Sequence, residues 1–196
     1  MTTYGTAGGG LTNATWAANA DVARIGRVGE QRTARLLERV IGRSENAPTV
    51  LHDLRIPDPR YKANIDHVVV SGKTVYIVDT KVWASGFYWT LGGRSFRGLS
   101  RFGPAEKRTM PLATATLASH LRAHGVRARI ERPILVVWPS SKKGTPRLTW
   151  LRVPGARVMT AERFEHYAKK AYGHGKPADP RIVNALLPLL NRSAAA

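Results

Sequence analysis

Two apolar runs separated by a short turn restrict this chain more than any other feature. Ile65-Asp66-His67-Val68-Val69-Val70 and Val75-Tyr76-Ile77-Val78-Asp79-Thr80-Lys81-Val82 are rich in β-branched residues, and Ser71-Gly72-Lys73 between them has hairpin length. Side chains alternate along a strand, so Val75, Ile77, Asp79 and Lys81 share one face while Tyr76, Val78 and Thr80 share the other. The α-carbons of Asp79 and Lys81 are then roughly 6.6 Å apart, within reach of one bound group. Pairing around the turn brings Asp66 next to Asp79. Two acids this close in apolar strands repel each other and resist desolvation, so both stay ionised only beside a cation. A divalent metal, a basic side chain, or both would serve.

The remaining segments can cover such a hairpin. Residues 1–20, rich in Gly, Thr, Ala and Asn, show no sustained period and are predicted to be a flexible N-terminal tail. Residues 21–192 are read as one domain with C-terminal helices, and 193–196 as a second short tail. The helical pattern runs from Asp21, a candidate N-cap, to Gly42, with Gly26, Glu30, Ala34, Leu37 and Ile41 as its inward stripe. Glu30 is therefore expected on or beside the packed face. A strand over Thr49 to Leu54 precedes the two long runs. Beyond them, Gly92-Gly93 marks a tighter hairpin between Phe87 to Leu91 and Arg94 to Arg97. Pro104 can open a helix that Pro111 kinks or restarts and that ends at Gly125. Strands at Ile134 to Trp138 and Leu148 to Val153, a helix capped by Thr160 and a last helix over Arg181 to Leu190 complete the pattern. This order predicts an α/β fold with a mixed sheet flanked by helices.

Charge speaks about partners. The 196 residues carry 31 Lys and Arg against 13 Asp and Glu, a net charge of +18 and a pI near 11.2. A polyanion is the expected partner. No run of 18 or more apolar residues occurs, so nucleic acid is favoured over a membrane and the cytoplasm is the expected compartment. With no cysteine, thiol nucleophiles and cysteine-ligated metals are excluded, and no P-loop is present to drive a motor. Chemistry must rest on carboxylates, Lys, His or hydroxyls. Magnesium or manganese suits such a set, because a few carboxylates, waters and a phosphate oxygen satisfy it. Arg94, Arg97, Arg101, Lys107 and Arg108, interleaved with Phe96 and Phe102, are candidates to grip a nucleic-acid backbone, with Lys142, Lys143 and Arg147 as a second basic loop. Trp83, Phe87, Tyr88 and Trp89 suit either a hairpin core or a base-stacking surface, with core preferred. His67, on the opposite strand face from Asp66, reads as a hydrogen-bonded core histidine before a metal ligand.

Four pieces taken together carry a family likeness: Gly29-Glu30 in the first helix, Leu51-His52-Asp53-Leu54, Asn64-Ile65-Asp66-His67-Val68-Val69-Val70, and Val75 to Trp83 with Gly86 soon after. In this order and spacing the chain resembles the nuclease-related domain, or NERD, a branch of the PD-(D/E)xK nuclease superfamily near the Mrr-like restriction endonucleases. The resemblance covers residues 24 to 140 and implies a restriction-endonuclease-like core. It implies an endo- or exonuclease hydrolysing DNA with Mg2+ or Mn2+. Asp66, Asp79 and the Thr80 carbonyl would bind the ion, Glu30 would be a further or water-mediated ligand, and Lys81 would orient the attacking water. Two positions depart from the family pattern: Asp79 stands where relatives carry glutamate, and Lys107 stands where they carry glutamine. Lys107 either holds the scissile phosphate or neutralises Glu106. The alternative function is a catalytically weak or inactive nuclease fold that binds DNA or RNA as an accessory factor. A homodimer or a partner protein stays open.

Overall fold

The computed structural model describes residues 1–11, 20–42, 44, 46–61 and 63–191. Its first elements are a two-residue strand β1 (Thr3–Tyr4), the long helix α1 (Ala20–Ile41), β2 (Thr49–Arg55), β3 (Asn64–Ser71) and β4 (Thr74–Trp83). A small second group follows: β5 (Gly86–Leu91), β6 (Arg94–Arg97) and β7 (Ser100–Arg101). The chain then returns through α2 (Thr109–Ala123), β8 (Arg129–Ile130), β9 (Ile134–Pro139), β10 (Pro146–Trp150) and β11 (Arg157–Thr160) to α3 (Ala161–Tyr172) and α4 (Pro180–Leu186).

The main sheet has the order β1-β2-β3-β4-β9-β11, with β8 also beside β4. β2, β3 and β4 are antiparallel neighbours, whereas β9 joins β4 in parallel and β11 joins β9 in parallel. The fold is thus the expected mixed α/β arrangement of a restriction-endonuclease-like core. Its two faces are covered differently. Leu36, Leu37 and Ile41 of α1 pack with Phe164, Ala168 and Tyr172 of α3 against Val50, Val69, Val78 and Val136. On the other face, Met110, Leu117 and Leu121 of α2 and Ile182 and Leu186 of α4 meet Leu51, Val68, Ile77 and Val137. That second face also receives Tyr88 and Leu148 from a smaller sheet of order β10-β5-β6-β7.

The helix α1 lies close to β4 because Gly29 lacks a side chain. A Cβ there would stand 2.4 Å from Val82 Cγ2, and valine's branched side chain has few rotamers in which to yield. Gly29→Ala should therefore lose about 1–3 kcal/mol of stability through overpacking, although alanine is the better helix former. Urea denaturation checks this, and a stability gain would contradict the close packing.

Several expectations about the elements need correction. Residues 1–11 do not form the first part of a tail: Thr3 and Tyr4 pair with Val50 and Leu51, and a 3-10 turn covers Gly9–Leu11. Backbone hydrogen bonds to a sheet edge supply order that this polar sequence did not advertise. The remainder of that predicted tail, 12–19, and residues 192–196 lie outside the described residues. α1 starts at Ala20, which puts Asp21 in its first turn and not at its cap. Its buried stripe is Gly29, Glu30, Thr33, Leu36, Leu37 and Ile41, rotated from the predicted one, with Glu30 retained. Pro104 opens only a 3-10 turn (Gly103–Glu106), and the helix proper begins at Thr109 with Pro111 in its first turn, where a missing N–H costs nothing. β10 precedes the predicted Leu148 to Val153 strand by two residues and ends at Trp150. The last helix stops at Leu186 and continues as a 3-10 turn through Leu189.

Candidate active site

The turn after β3 fixes the geometry of the acids. Gly72, at a φ of +56°, and Lys73 make a two-residue reversal between Ser71 and Thr74, and the register runs through Val70↔Val75 to His67↔Val78. Carried one residue further, that register sets Asp66 opposite Asp79. There the ladder changes character, because the N–H of Thr80 donates to Asp66 Oδ2 at 2.7 Å. The strands part at the two acids, and a pocket of about 330 Å³ opens, with Glu30, Asp53, Asp66, Asp79, Lys81 and Lys107 in its wall.

Within the pocket, Lys81 Nζ stands 2.5 Å from Asp79 Oδ2 and donates to the Thr80 carbonyl at 3.1 Å. Asp79 is 5% exposed, and its Oδ2 is enclosed with no well-directed hydrogen bond among the described residues, so the nearby Lys81 ammonium compensates its charge. Burial pushes Asp66 well above the usual carboxylate range, with Asp79 and Glu30 adding to the rise and Lys81 and the Thr80 N–H opposing it. Glu30 is raised to about 7, first by burial, then by Asp53 and Asp79, against the pull of Lys81 and the Gly8 N–H. For Lys81, burial acts downward, but Asp79, Asp66 and Glu30 together outweigh it and hold the ammonium protonated. The side chain of that lysine remains 42% exposed, so it reaches Asp79 from the open side.

Behind β4 lies a buried hydrogen-bond chain whose direction can be worked out. Trp138 Nε1–H and the Thr80 hydroxyl both donate to Thr33 Oγ1, at 2.8 and 2.9 Å, and Thr33 passes its own proton to the Gly29 carbonyl. Thr80 Oγ1 has therefore spent its hydrogen and can only accept from His67 Nε2, 3.4 Å away. His67, protonated at Nε2 and neutral, must accept at Nδ1 from His52 Nδ1–H at 2.7 Å. Burial favours this neutral state in both rings: His52 is lowered to about 4, and His67 well below the usual imidazole value. The chain ends on Thr80, whose N–H binds Asp66 and whose carbonyl binds Lys81. Thr33→Val should cost about 1–3 kcal/mol by stranding its buried donors, measured as a lower urea midpoint. An unchanged midpoint would disprove the assigned proton direction.

Among the predicted site residues, Glu30, Asp66, Asp79, Lys81 and Lys107 are brought together. Lys107 reaches the pocket from an extended linker between the 3-10 turn and α2, not from a helix face. It leaves Glu106 to Arg101 and to the Ser95 N–H, which removes the neutralising role considered for Lys107. Thr80 is not among the lining residues, and its carbonyl accepts from the Lys81 ammonium. Arg94, Arg108, Lys142 and Lys143 are exposed outside that wall, while the guanidinium of Arg97 is committed to the Ser85 carbonyl. Trp83 and Tyr88 are core, stacked at 5.3 Å, whereas Phe87 is exposed.

Of the acids in the pocket wall, Asp53 was not among the predicted site residues. Asp53 is 4% exposed and adopts a φ of +55°, a conformation Asp tolerates better than most residues. Its carboxylate accepts from the Gly10 N–H at 2.6 Å, Asn64 Nδ2 at 2.8 Å and Asn191 Nδ2 at 2.9 Å. The available signal was an acid between Leu51 and Leu54 in the buried β2, but its partners come from distant parts of the chain.

The family model of the nuclease-related domain, NERD, matches residues 25–132. The chain belongs to this family. The match takes in Glu30, Asp53, Asp66, Asp79, Lys81 and Lys107, and so spans most of the pocket wall of this NERD domain. No curated protein and no solved structure matches the chain. Among the described residues of the NERD protein, no helix is long and apolar enough to cross a membrane.

The pocket's chemistry suits a hard divalent cation. Its donors are carboxylate and carbonyl oxygens, and one buried carboxylate oxygen is short of partners. Among the described residues, no three acid or histidine side chains converge closely enough to enclose an ion on their own. An ion here would be held by two carboxylates at most directly, with water or substrate oxygens completing it, as magnesium prefers.

Proposed function

We propose that this NERD protein is a divalent-metal-dependent nuclease that hydrolyses DNA phosphodiester bonds. The observation that carries the proposal is that Asp66 and Asp79 line one open pocket where the β3–β4 ladder ends, with the Lys81 ammonium against Asp79. Asp66, Asp79 and the Thr80 carbonyl would hold magnesium or manganese, with Glu30 closing the site through water. When bound, that ion supplies Lewis-acid polarisation of the scissile phosphoryl group.

The chain's own residues do the rest. Lys81 stays protonated among its acids, so it acts as a fixed cation that orients the attacking water and stabilises charge developing on phosphorus, not as a base. Lys107, on the pocket wall, holds a phosphate oxygen of the scissile group. The positive field from a net charge of +18 gathers the polyanion, and Arg94, Arg108, Lys142 and Lys143 bind its backbone. Thr33, His67 and His52 act one step removed, as positioning residues that fix Thr80 and with it Asp66 and Lys81.

Cleavage of supercoiled, linear and single-stranded DNA in Mg2+ or Mn2+ by wild type, Asp79→Ala and Lys81→Ala tests the proposal. Equal activity in all three proteins would overturn it. A second reading, a DNA-binding accessory module, draws on the absence of three converging acids among the described residues. It is distinguished by salt-sensitive binding with no cleavage in either metal.

A further inference from the structure

The outer face of the small sheet carries an aromatic row that the catalytic pocket does not use. Its strands place Trp150 opposite Trp89, Trp89 opposite Phe96 and Phe96 opposite Arg101, so one residue from each of the four strands falls in line on a single face. The inner face is accounted for by Tyr88 and Leu148, both in the core. Trp89 and Phe96 stack at 4.6 Å with 20° between their planes, and the Arg101 guanidinium lies 5.7 Å from the Phe96 centroid. Trp150 is 68% exposed, and Leu91 and Phe87 flank the row from the same face of β5. An exposed apolar row of this kind asks for an occupant.

Charge says which occupant. From Thr80 to Ala105 and from Arg132 to Ala161 the sequence contains no acid, and Glu106, just beyond the first stretch, is engaged by Arg101 and the Ser95 N–H. Beside β10 lies a cavity of about 310 Å³ whose lining includes Arg132, Arg147, Arg152, Arg157 and Arg163 and no carboxylate; Arg132 donates to the Ala156 carbonyl and Arg157 lies over Tyr167, so Arg147, Arg152 and Arg163 are the arginines offered to phosphate. Stacked π-faces next to a trough of arginines match a strand with unpaired bases and a phosphate backbone. Duplex bases are stacked on one another and cannot use the row. Both edges of the sheet also lead to the pocket: Val153, three residues past Trp150, and Lys107, six past Arg101, are in its wall.

We propose that the Trp150-Trp89-Phe96-Arg101 row is a stacking platform for single-stranded DNA. The choice of DNA rests on the proposed function; the platform itself rests on the sheet register and the arginine trough. Bases lie on the aromatic faces while phosphates follow the trough at β10, which delivers the strand to the pocket.

The test is binding of a fluorescein-labelled oligothymidylate of about twelve nucleotides, the length scale of one such site, followed by anisotropy in EDTA. Binding without metal separates the platform from cleavage: its failure leaves Asp79 and Lys81 untouched, and failure of cleavage leaves it intact. Trp150→Ala should weaken oligothymidylate binding by about tenfold, while Trp150→Phe keeps most of it and a blunt duplex is bound equally by all three proteins. Thermal melting confirms that the exposed Trp150 is not needed for folding, and quenching of wild-type tryptophan fluorescence on binding gives a second, variant-free measurement. Equal affinity of wild type and Trp150→Ala without quenching would overturn the proposal. So would a preference for oligouridylate, or a concentration-dependent dimer in sedimentation that Trp150→Ala abolishes.

Discussion

Asp79→Ala should slow DNA cleavage by about a thousandfold, and Lys81→Ala by about a hundredfold or more, the range seen when a fixed charge is removed from a charge-stabilising site. The double variant should be little slower than Asp79→Ala alone, because residues that act as a unit do not add. Stability gives an independent reading. Lys81 is the cation shared by Asp79, Asp66 and Glu30, so Lys81→Ala leaves three crowded carboxylates without it and should lower the melting temperature of the metal-free protein at pH 8. Asp79→Ala removes one of those carboxylates and relieves their repulsion, so it should raise the melting temperature. Activity falls in both variants while stability moves in opposite directions. A Lys81→Ala protein that melts above wild type would show that the ammonium is not the compensating charge.

The second large effect is a pH-dependent gain in stability from a divalent cation. Glu30 is raised from 4.5 to about 7. In the metal-free protein, the folded state therefore binds more protons than the unfolded state between those values, and stability falls as pH rises through them. A shift of that size corresponds to about 3 kcal/mol. Asp66 acts in the same direction. His52, lowered from 6.5 to about 4, acts in the opposite one, since its folded form binds fewer protons and stability rises from pH 4 to 6.5. Measuring melting temperature with and without Mg2+ cancels the histidines, which stay neutral and clear of the pocket either way. The Mg2+ increment should be small at pH 5.5, grow through pH 7 and level off above it. Glu30→Gln should flatten that rise. A constant increment across the range would show that Glu30 does not titrate with ion binding.

The acids of this site were legible because a two-residue turn fixes register. Once Gly72 and Lys73 reverse the chain, alternation alone sets Asp66 beside Asp79 and Lys81 on the face of Asp79. Glu30 was legible from helical periodicity, even though the true buried stripe is rotated by the approach of Gly29 to β4. Asp53 was not, since its left-handed backbone and its donors depend on residues 10, 64 and 191 arriving together. The inner and outer faces of β5 were equally opaque: Phe87, Tyr88 and Trp89 are all aromatic, so apolarity could not say which points inward. β1, β8 and β11 have two to four residues each, too few for a period to show, and they form because β2, β4 and β9 present edges to them.

β4 is held on both sides, by β3 and by β9, and covered on both faces. Amide protons in the doubly paired part of such a strand exchange only when the whole unit opens, so Val78, paired with both His67 and Ile134, should be among the last to exchange with deuterium, whereas Asp79, Thr80 and Lys81 lie past the end of the β3 ladder and should exchange earlier. Pairing with β9 on one side and the Asp66 to Thr80 N–H hydrogen bond on the other set the acid–lysine spacing. Gly10, Pro104 and Lys107 complete the pocket wall from segments outside the β3–β4 hairpin. It is there that changes in sequence can retune what enters the pocket without disturbing Asp66, Asp79 and Lys81 beneath.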